Sequence, residues 1–514
     1  MKRGLRWLAC CAALLLTSCG TRIPAGSALA AVPLRFGLAT APITLDPRYA
    51  TDAASSRIDR LLYRGLVTFD AAARPVPDLA HWERLSPTVY RFHLGARGRE
   101  FQDGEHLTSA DVKATYESIL NPATGSPLRD TLKRVAGIRS IDTPDPDTVD
   151  FVLDRPNALF PSYLTVGILP KRLLDSGHRF AQDPVGSGPF AFVAWPDAER
   201  LLLRRRRDGQ AFEFLVVRDP TVRVLKLLRG EIDMLQNDLP PELITYLERR
   251  KDVRVEHARG TNLTYLGFNL RDPITGQLRV RRAIAHAINR AAIIRYVLGG
   301  AARPAESLLP PSHWAGNPDL HGYAYDPARA RALLRAAGFG PGHPARITYK
   351  TSSDPFRVRL ATVIQYQLGQ VGIHVHLQSY DWGTFYGDIK SGRFQMYSLS
   401  WVGIKSPDIF RYVFYSTSIP PEGANRGYFA SPVADHLIDA AEASPDLAVK
   451  SRDYRELQAY LLKELPYLPL WFEDQTFVAR RDIVGYHVEP DGNYDGLNTI
   501  RRVSTVRRTG TGSP

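Results

Sequence analysis

"TVYRFHLGARGREFQDGEHLTSADVKATYESILNP", residues 88–122, contains the two periodicities that decide the fold. Tyr90, Phe92 and Leu94 alternate with polar residues, the period of two of a half-buried strand. "QDGE" is a turn signal. Thr108 then caps a helix with Asp111 at its third position, and Val112, Tyr116, Ile119 and Leu120 line one helical face until Asn121-Pro122 stops it. A strand, a tight turn and a capped helix in one short stretch predict a mixed α/β architecture.

The alternation continues outward. "GIHVHLQSY" at 372–380 sets Ile373, Val375 and Leu377 against His374, His376 and Gln378, again a strand. A helix is predicted from Val280 through Ile284, Ile288 and Ile294 to Gly299-Gly300, with Arg281, Arg282, Arg290 and Arg295 on its wet side, and another over 454–464. No period of 20 to 50 residues recurs, which excludes a solenoid, and the mixture excludes a bundle or a barrel of hairpins.

The N-terminus reads MKRGLRWLACCAALLLTSCG: Lys2, Arg3 and Arg6, an apolar run to Leu16, then small residues. A secretory signal is expected over 1–18, since the run is shorter than the roughly 20 residues a spanning helix needs. "LTSC" resembles a bacterial lipobox, in which cleavage leaves Cys19 as the lipidated first residue. Residues 19–32, rich in Gly, Ala, Ser and Pro, are expected to be a flexible tether, and 506–514 a disordered tail. The only other cysteines, Cys10 and Cys11, leave with the signal, so the mature chain forms no disulfide and depends on core burial, which 514 residues can supply as two or three domains. The formal charge of +13 is interspersed with acids; its densest run, "RRRRDG" at 204–209, ends in a turn signal and reads as a solvated hairpin end. Export argues against a nucleic-acid partner.

The motifs of catalysis are missing. There is no G-x-S-x-G elbow and no H-E-x-x-H, and no cysteine nucleophile survives cleavage. "VGSGPF" at 185–190 lacks the spacing of a phosphate-binding loop and reads as a tight turn between domains. His374 and His376 share a strand face, but nothing nearby completes a metal-ligand set, so neither metal nor cofactor is expected. Aromatics concentrate in the C-terminal half, at Trp382, Phe385, Tyr386, Trp401, Phe410, Tyr412, Trp471 and Phe472. Tryptophan N–H groups need partners when buried, so such residues often line clefts.

A series of ordered landmarks then resembles one family, the large extracytoplasmic substrate-binding proteins (family 5) of peptide and nickel ABC importers. They are "TLDPRYATD" with "RIDRLLYRGL", "PVPDLAHWE", "FQDGEHLTSADVKATYES", "GSGPF", "LLRGEIDM", "YLGFNL" with "RVRRAIAHAINR", "ARALLRAAGF", "QVGIHVHL" and "FQMYSLSW", spanning about residues 34–486. The resemblance implies a two-lobed clamshell of the type II-like, large peptide-binding class with an extra domain. Lobe I would comprise 33–48, 183–268 and 480–505, extra domain II 49–182, and lobe III 269–479. It also implies a monomeric, non-enzymatic periplasmic receptor, held by its lipid anchor on the inner or the outer membrane. The receptor would close over a peptide or peptide-like solute and deliver it to a permease with its ATPase subunits. An exported hydrolase is the alternative from another class.

The resemblance also assigns site residues. Two pocket-wall tryptophans of peptide binders match Trp382 and Trp401, aromatics after a proline match Trp471 and Phe472, and the segment after "LDP" makes Thr51 and Asp52 weaker candidates. This sequence departs from the family pattern three residues after Trp401. Peptide-binding members place there the Asp that pairs with the peptide's α-amino group; here Ile404 occupies it, followed by Lys405. An unpaired ammonium in a closed cleft costs several kcal/mol. Either Asp408 substitutes through a rearranged loop, or the ligand lacks a free amino terminus, or it is anionic and meets Lys405.

Overall fold

A computed structural model describes residues 32–421 and 423–503. The expectations for the signal at 1–18, for Cys19, for nearly all of the tether and for the tail lie outside them. Among the described residues, no helix is long and apolar enough to cross a membrane.

The opening stretch folds as read. Val89–Leu94 is a strand whose Tyr90, Phe92 and Leu94 are buried. Ser109–Leu120 is a helix begun by the reciprocal cap of Thr108 and Asp111, in which Asp111 Oδ2 accepts the Thr108 N–H at 2.8 Å. The strand joins a four-stranded antiparallel sheet in the order Ala80–Ser86, Val89–Leu94, Thr148–Leu153, Ile138–Asp145. Tyr116 of the helix meets Phe151 of the sheet edge to face at 5.5 Å, so strand and helix bury one common apolar layer.

The main sheet has eleven strands and runs through both halves of the molecule. Its order is Ile373–Tyr380, Ala345–Ser352, Met396–Trp401, Val253–Phe268, Tyr467–Arg480, Met234–Gln236, Leu34–Leu38, Ala211–Val216, Arg200–Arg205, Phe190–Asp197, with Ala302–Pro304 added against Tyr467–Arg480. Two long antiparallel strands therefore connect the halves. Their N- and C-terminal ends pack in different cores: Val253, Phe477 and Ala479 belong to clusters of the first half, Leu263, Trp471 and Phe472 to those of the second. Between these ends the register breaks, from Ala258 opposite Gln475 to Asn262 opposite Glu473. Gly260 sits in this bulge, where a Cβ would meet the Glu473 carbonyl oxygen at 2.0 Å. Only glycine lets the strands approach that closely, and the bulge interrupts the ladder where the two halves meet.

Two sequence expectations change. The helix expected from Val280 onward is two helices, Leu278–Ala287 and Arg290–Tyr296, because Asn289 leaves helical geometry and its side chain accepts the Ala292 N–H at 2.9 Å. Arg281, placed on the wet side from periodicity, is buried and donates to the carbonyls of Thr275, Gly276 and Glu464. The run at 204–209 is a hairpin end. Its Arg205 is a buried staple to the carbonyls of Leu497 and Ile500, held by Asp208, and Arg206 pairs with Glu100 at 3.0 Å. His374 and His376 are exposed on their strand, and no group of three metal-binding side chains is present among the described residues.

Candidate functional site

The helix Ala53–Leu62 forms one wall of a cavity of about 560 Å³. Its position follows from the turn before it. Asp46 accepts both the backbone N–H and the guanidinium of Arg48, and Ser55 Oγ accepts the N–H groups of Ile43 and Thr44 at 2.8 and 3.1 Å. Asp52 starts the helix by accepting the Ser55 N–H at 2.8 Å. Thr51, Asp52, Arg57, Asp59 and Arg60 line this wall, and Asp491, Asn493 and Asp495 extend it from the C-terminal segment. Across the cavity lie Val402, Gly403 and Lys405, which follow the strand Met396–Trp401 of the second half. A neighbouring cavity of about 210 Å³ shares Arg60, Phe69, Lys405 and Asp491 and adds His313 and Ile404.

Most charges on the walls are answered. Arg60 Nε binds both Asp495 oxygens at 2.8 and 3.0 Å, and its Nη2 donates to Thr68 at 3.0 Å. Arg64 pairs with Asp78 at 2.5 Å. Lys405 reaches from the second half to Asp491 of the first, with its ammonium 5.8 Å from the Phe69 ring centroid. Burial pushes the Asp491 carboxyl up, but the Lys405 charge and the N–H of Asn493 outweigh it and hold the group below the usual carboxylate range. The Lys405 carbonyl is in turn fixed by His313, whose Nε2–H donates to it at 3.0 Å while Nδ1 accepts the Ala315 N–H at 3.0 Å. Burial pushes His313 down to about 4, so the ring is neutral and both its nitrogens are engaged. Arg57 lies 5.6 Å from the Tyr494 ring centroid and pairs with no carboxylate among the described residues.

Further contacts cross the cleft. The Tyr163 hydroxyl donates to Asp408 Oδ2 at 2.6 Å; burial, and then the Asp408 charge, raise that phenol well above its ordinary pKa. The Trp314 backbone N–H donates to the Ala72 carbonyl at 3.2 Å, and, outside both cavity linings, Arg359 of the second half pairs with Glu242 of the first at 2.6 Å.

The residues assigned by resemblance fall into four groups. Thr51, Asp52 and Lys405 line the larger cavity, and Ile404, although packed in a second-half core, borders the smaller one. Trp401 precedes the wall by one residue. It stacks on Tyr265 at 6.3 Å beneath the Arg426 guanidinium at 5.2 Å, and its indole N–H is buried without a partner among the described residues. Trp382, Trp471 and Phe472 are not on either wall. Trp382 is 59 % exposed and stacked on Tyr386 at 5.4 Å, while Trp471 and Phe472 are interior to second-half cores, because their strand is covered on both faces. Asp408 is engaged by Tyr163 rather than directed into the cavity linings.

Sequence reading passed over Asp59, Arg60, His313, Asp491 and Asp495. One signal was available, an acid at 59 between Ile58 and Leu61 on a mostly apolar helical face. Asp491 and Asp495 stand in "EPDGNYDG", which carries only turn signals.

Comparison with known proteins places this geometry. Residues 74–420 match the family described as bacterial extracellular solute-binding proteins, family 5 Middle. The chain is 27 % identical over 476 residues to the dipeptide-binding protein of Escherichia coli (strain K12), covering 84 % of this chain and 88 % of that one. It is 26 % identical over 494 residues to the glutathione-binding protein of the same organism, covering 92 % and 95 %. Among solved structures it is similar to the ABC transporter-associated periplasmic binding protein of Helicobacter pylori in complex with peptide STSA, with a TM-score of 0.77 and 25 % identity, covering 92 % of this chain and 98 % of that one. The match across most of the chain, on a mixed α/β clamshell with a cavity between its halves, makes this protein a member of the family-5 bacterial extracellular solute-binding proteins.

Proposed function

We propose that the protein is the receptor of an ABC importer, capturing a peptide or peptide-like solute between its halves and delivering it to a membrane permease and its ATPase subunits. The observation that carries this reading is the larger cavity, walled from the first half by Thr51–Arg60 and from the second by Val402–Lys405. A solute held there contacts both halves, so it favours the closed arrangement by its differential affinity, and no covalent step is needed. The curated relatives named for dipeptides and glutathione support a peptide-like ligand.

The division we propose is lobe I over 33–48, 183–268 and 480–505, domain II over 49–182 and lobe III over 269–479, with the bulge at Gly260 and the strand opposite it as hinge. Residues 1–18 would be the signal and Cys19 the lipid anchor of a monomeric periplasmic receptor. Lys405 is already answered by Asp491, which weakens the reading in which an anionic ligand meets Lys405.

Native mass spectrometry of freshly purified protein tests the proposal. A bound mass that dissociates as a peptide or peptide conjugate is the expected result. A non-peptide solute would overturn the ligand class, and turnover of the bound species by purified protein would favour the hydrolase reading instead.

A further inference from the structure

The larger cavity is lined by five acids, Asp52, Asp59, Asp78, Asp491 and Asp495. Four are engaged within the protein: Asp52 caps a helix, and Asp78, Asp491 and Asp495 pair with Arg64, Lys405 and Arg60. Asp59 is not. It is only 5 % exposed, and neither of its carboxyl oxygens has a hydrogen-bond partner among the described residues. Its neighbours on the helix, Ile58, Leu61 and Leu62, are buried in the first-half core, so the chain holds this acid at the cavity edge on a mostly apolar buried face, shared with Ser55 one turn before it.

A buried carboxyl with both oxygens unanswered destabilises the fold unless something outside the chain completes it. A structural acid would have acquired donors, as Asp46 has from Arg48. We propose that Asp59 is the anchor for a cationic ligand group, the free α-ammonium of a peptide, and that it supplies from the first half the carboxylate which Ile404 does not supply from the second. This rests on the reading of the cavity as a peptide site and names the ligand end that the site reads.

The chemistry of the pairing is specific. Burial first, and then the charges of Asp46 and Asp52, raise the Asp59 carboxyl well above the usual carboxylate range, so the empty site favours the protonated form. An arriving ammonium favours the carboxylate. Asp59 therefore gives its proton to solvent as the ion pair forms, and the ligand's positive charge replaces the proton's. Selectivity follows, because an acetylated amino terminus has no charge to offer and leaves the carboxyl as it was.

Isothermal titration calorimetry with the dipeptide Ala-Phe, acetyl-Ala-Phe and acetyl-Ala-Lys, in buffers of different ionisation enthalpy, tests this on the wild type, Asp59→Asn and Asp59→Glu. The expected result is Ala-Phe binding with proton release, acetyl-Ala-Phe weaker by roughly a hundredfold, and a similar loss of Ala-Phe affinity in Asp59→Asn. Asp59→Glu, which keeps the charge, should recover part of the loss, and thermal unfolding of each variant separates binding from folding. Recovery by acetyl-Ala-Lys would assign the subsite to a side-chain ammonium and overturn the α-ammonium. Equal affinity for free and acetylated peptides, or unchanged Ala-Phe binding in Asp59→Asn, would overturn the anchor and leave the peptide reading standing. If the wild type binds none of the peptides, the peptide reading fails. Benzylamine against benzyl alcohol then decides Asp59 alone: amine-selective binding lost in Asp59→Asn supports an ammonium subsite, and its absence overturns one.

Discussion

On the first-half wall of the cavity, the helix Ala53–Leu62 and the segment 489–495 present Asp59, Arg60, Asp491 and Asp495; the second-half wall presents Val402, Gly403, Ile404 and one charge, Lys405. The first wall's pairs, Arg60 with Asp495 and Arg64 with Asp78, are made within that half and do not depend on the other. Lys405 with Asp491 and Tyr163 with Asp408 exist only where the halves meet. Charged side chains are thus concentrated on one half, and the other contributes a mostly apolar wall, backed by stacked aromatics, with contacts that cross between the halves.

Lys405→Met challenges this contrast most severely, since it leaves the mostly buried Asp491 carboxylate opposite an apolar group; about 3 kcal/mol of the closed arrangement should be lost. Small-angle scattering should then show a larger radius of gyration, and unchanged scattering would mean that the halves stay together without the pair. The same pair predicts an acid-dependent opening. Because Lys405 lowers the Asp491 pKa in the closed arrangement, its contribution is complete above the ordinary aspartate value of about 3.9 and is lost as pH falls through the lowered value. Scattering followed down in pH should show expansion in the wild type and no such step in Lys405→Met.

Tyr163→Phe removes a phenol donor from Asp408 and should weaken closure by about 1.5 kcal/mol, read as a smaller ligand-induced rise in melting temperature. An equal rise in both proteins would place Asp408 outside the closing contacts. The smallest effect is expected at an exposed pair. Arg359 and Glu242 also bridge the halves but are largely in solvent, so Glu242→Gln should change stability by less than about 0.5 kcal/mol in urea unfolding. A larger change would show that burial is not what separates these two kinds of bridge.

Much of the fold was legible in short stretches. Alternation at Tyr90, Phe92 and Leu94, the cap at Thr108 and Asp111, and the strand at Ile373 are local signals, and each is read by its neighbours in sequence. Helix continuity past Ile288 was not legible, since the pattern of apolar residues runs on while Asn289 takes its partners from Gln367 and Ala292. Nor was the burial of Arg281, whose acceptors include the Glu464 carbonyl, far along the chain.

The site divides in the same way. The order of residues was enough to raise the expectation that Ile404, followed by Lys405, stands where peptide-binding members carry their amino-terminus anchor, because a motif in register proposes a position without knowledge of its surroundings. The consequences of that replacement required the folded chain. Lys405 meets Asp491, Asp408 meets Tyr163, Trp471 turns into a core, and Asp59 at the cavity edge has no hydrogen-bond partner among the described residues. A charged group's role is set by the groups that oppose it within a few ångströms, and for Lys405 and Asp408 those groups come from the other half of the chain.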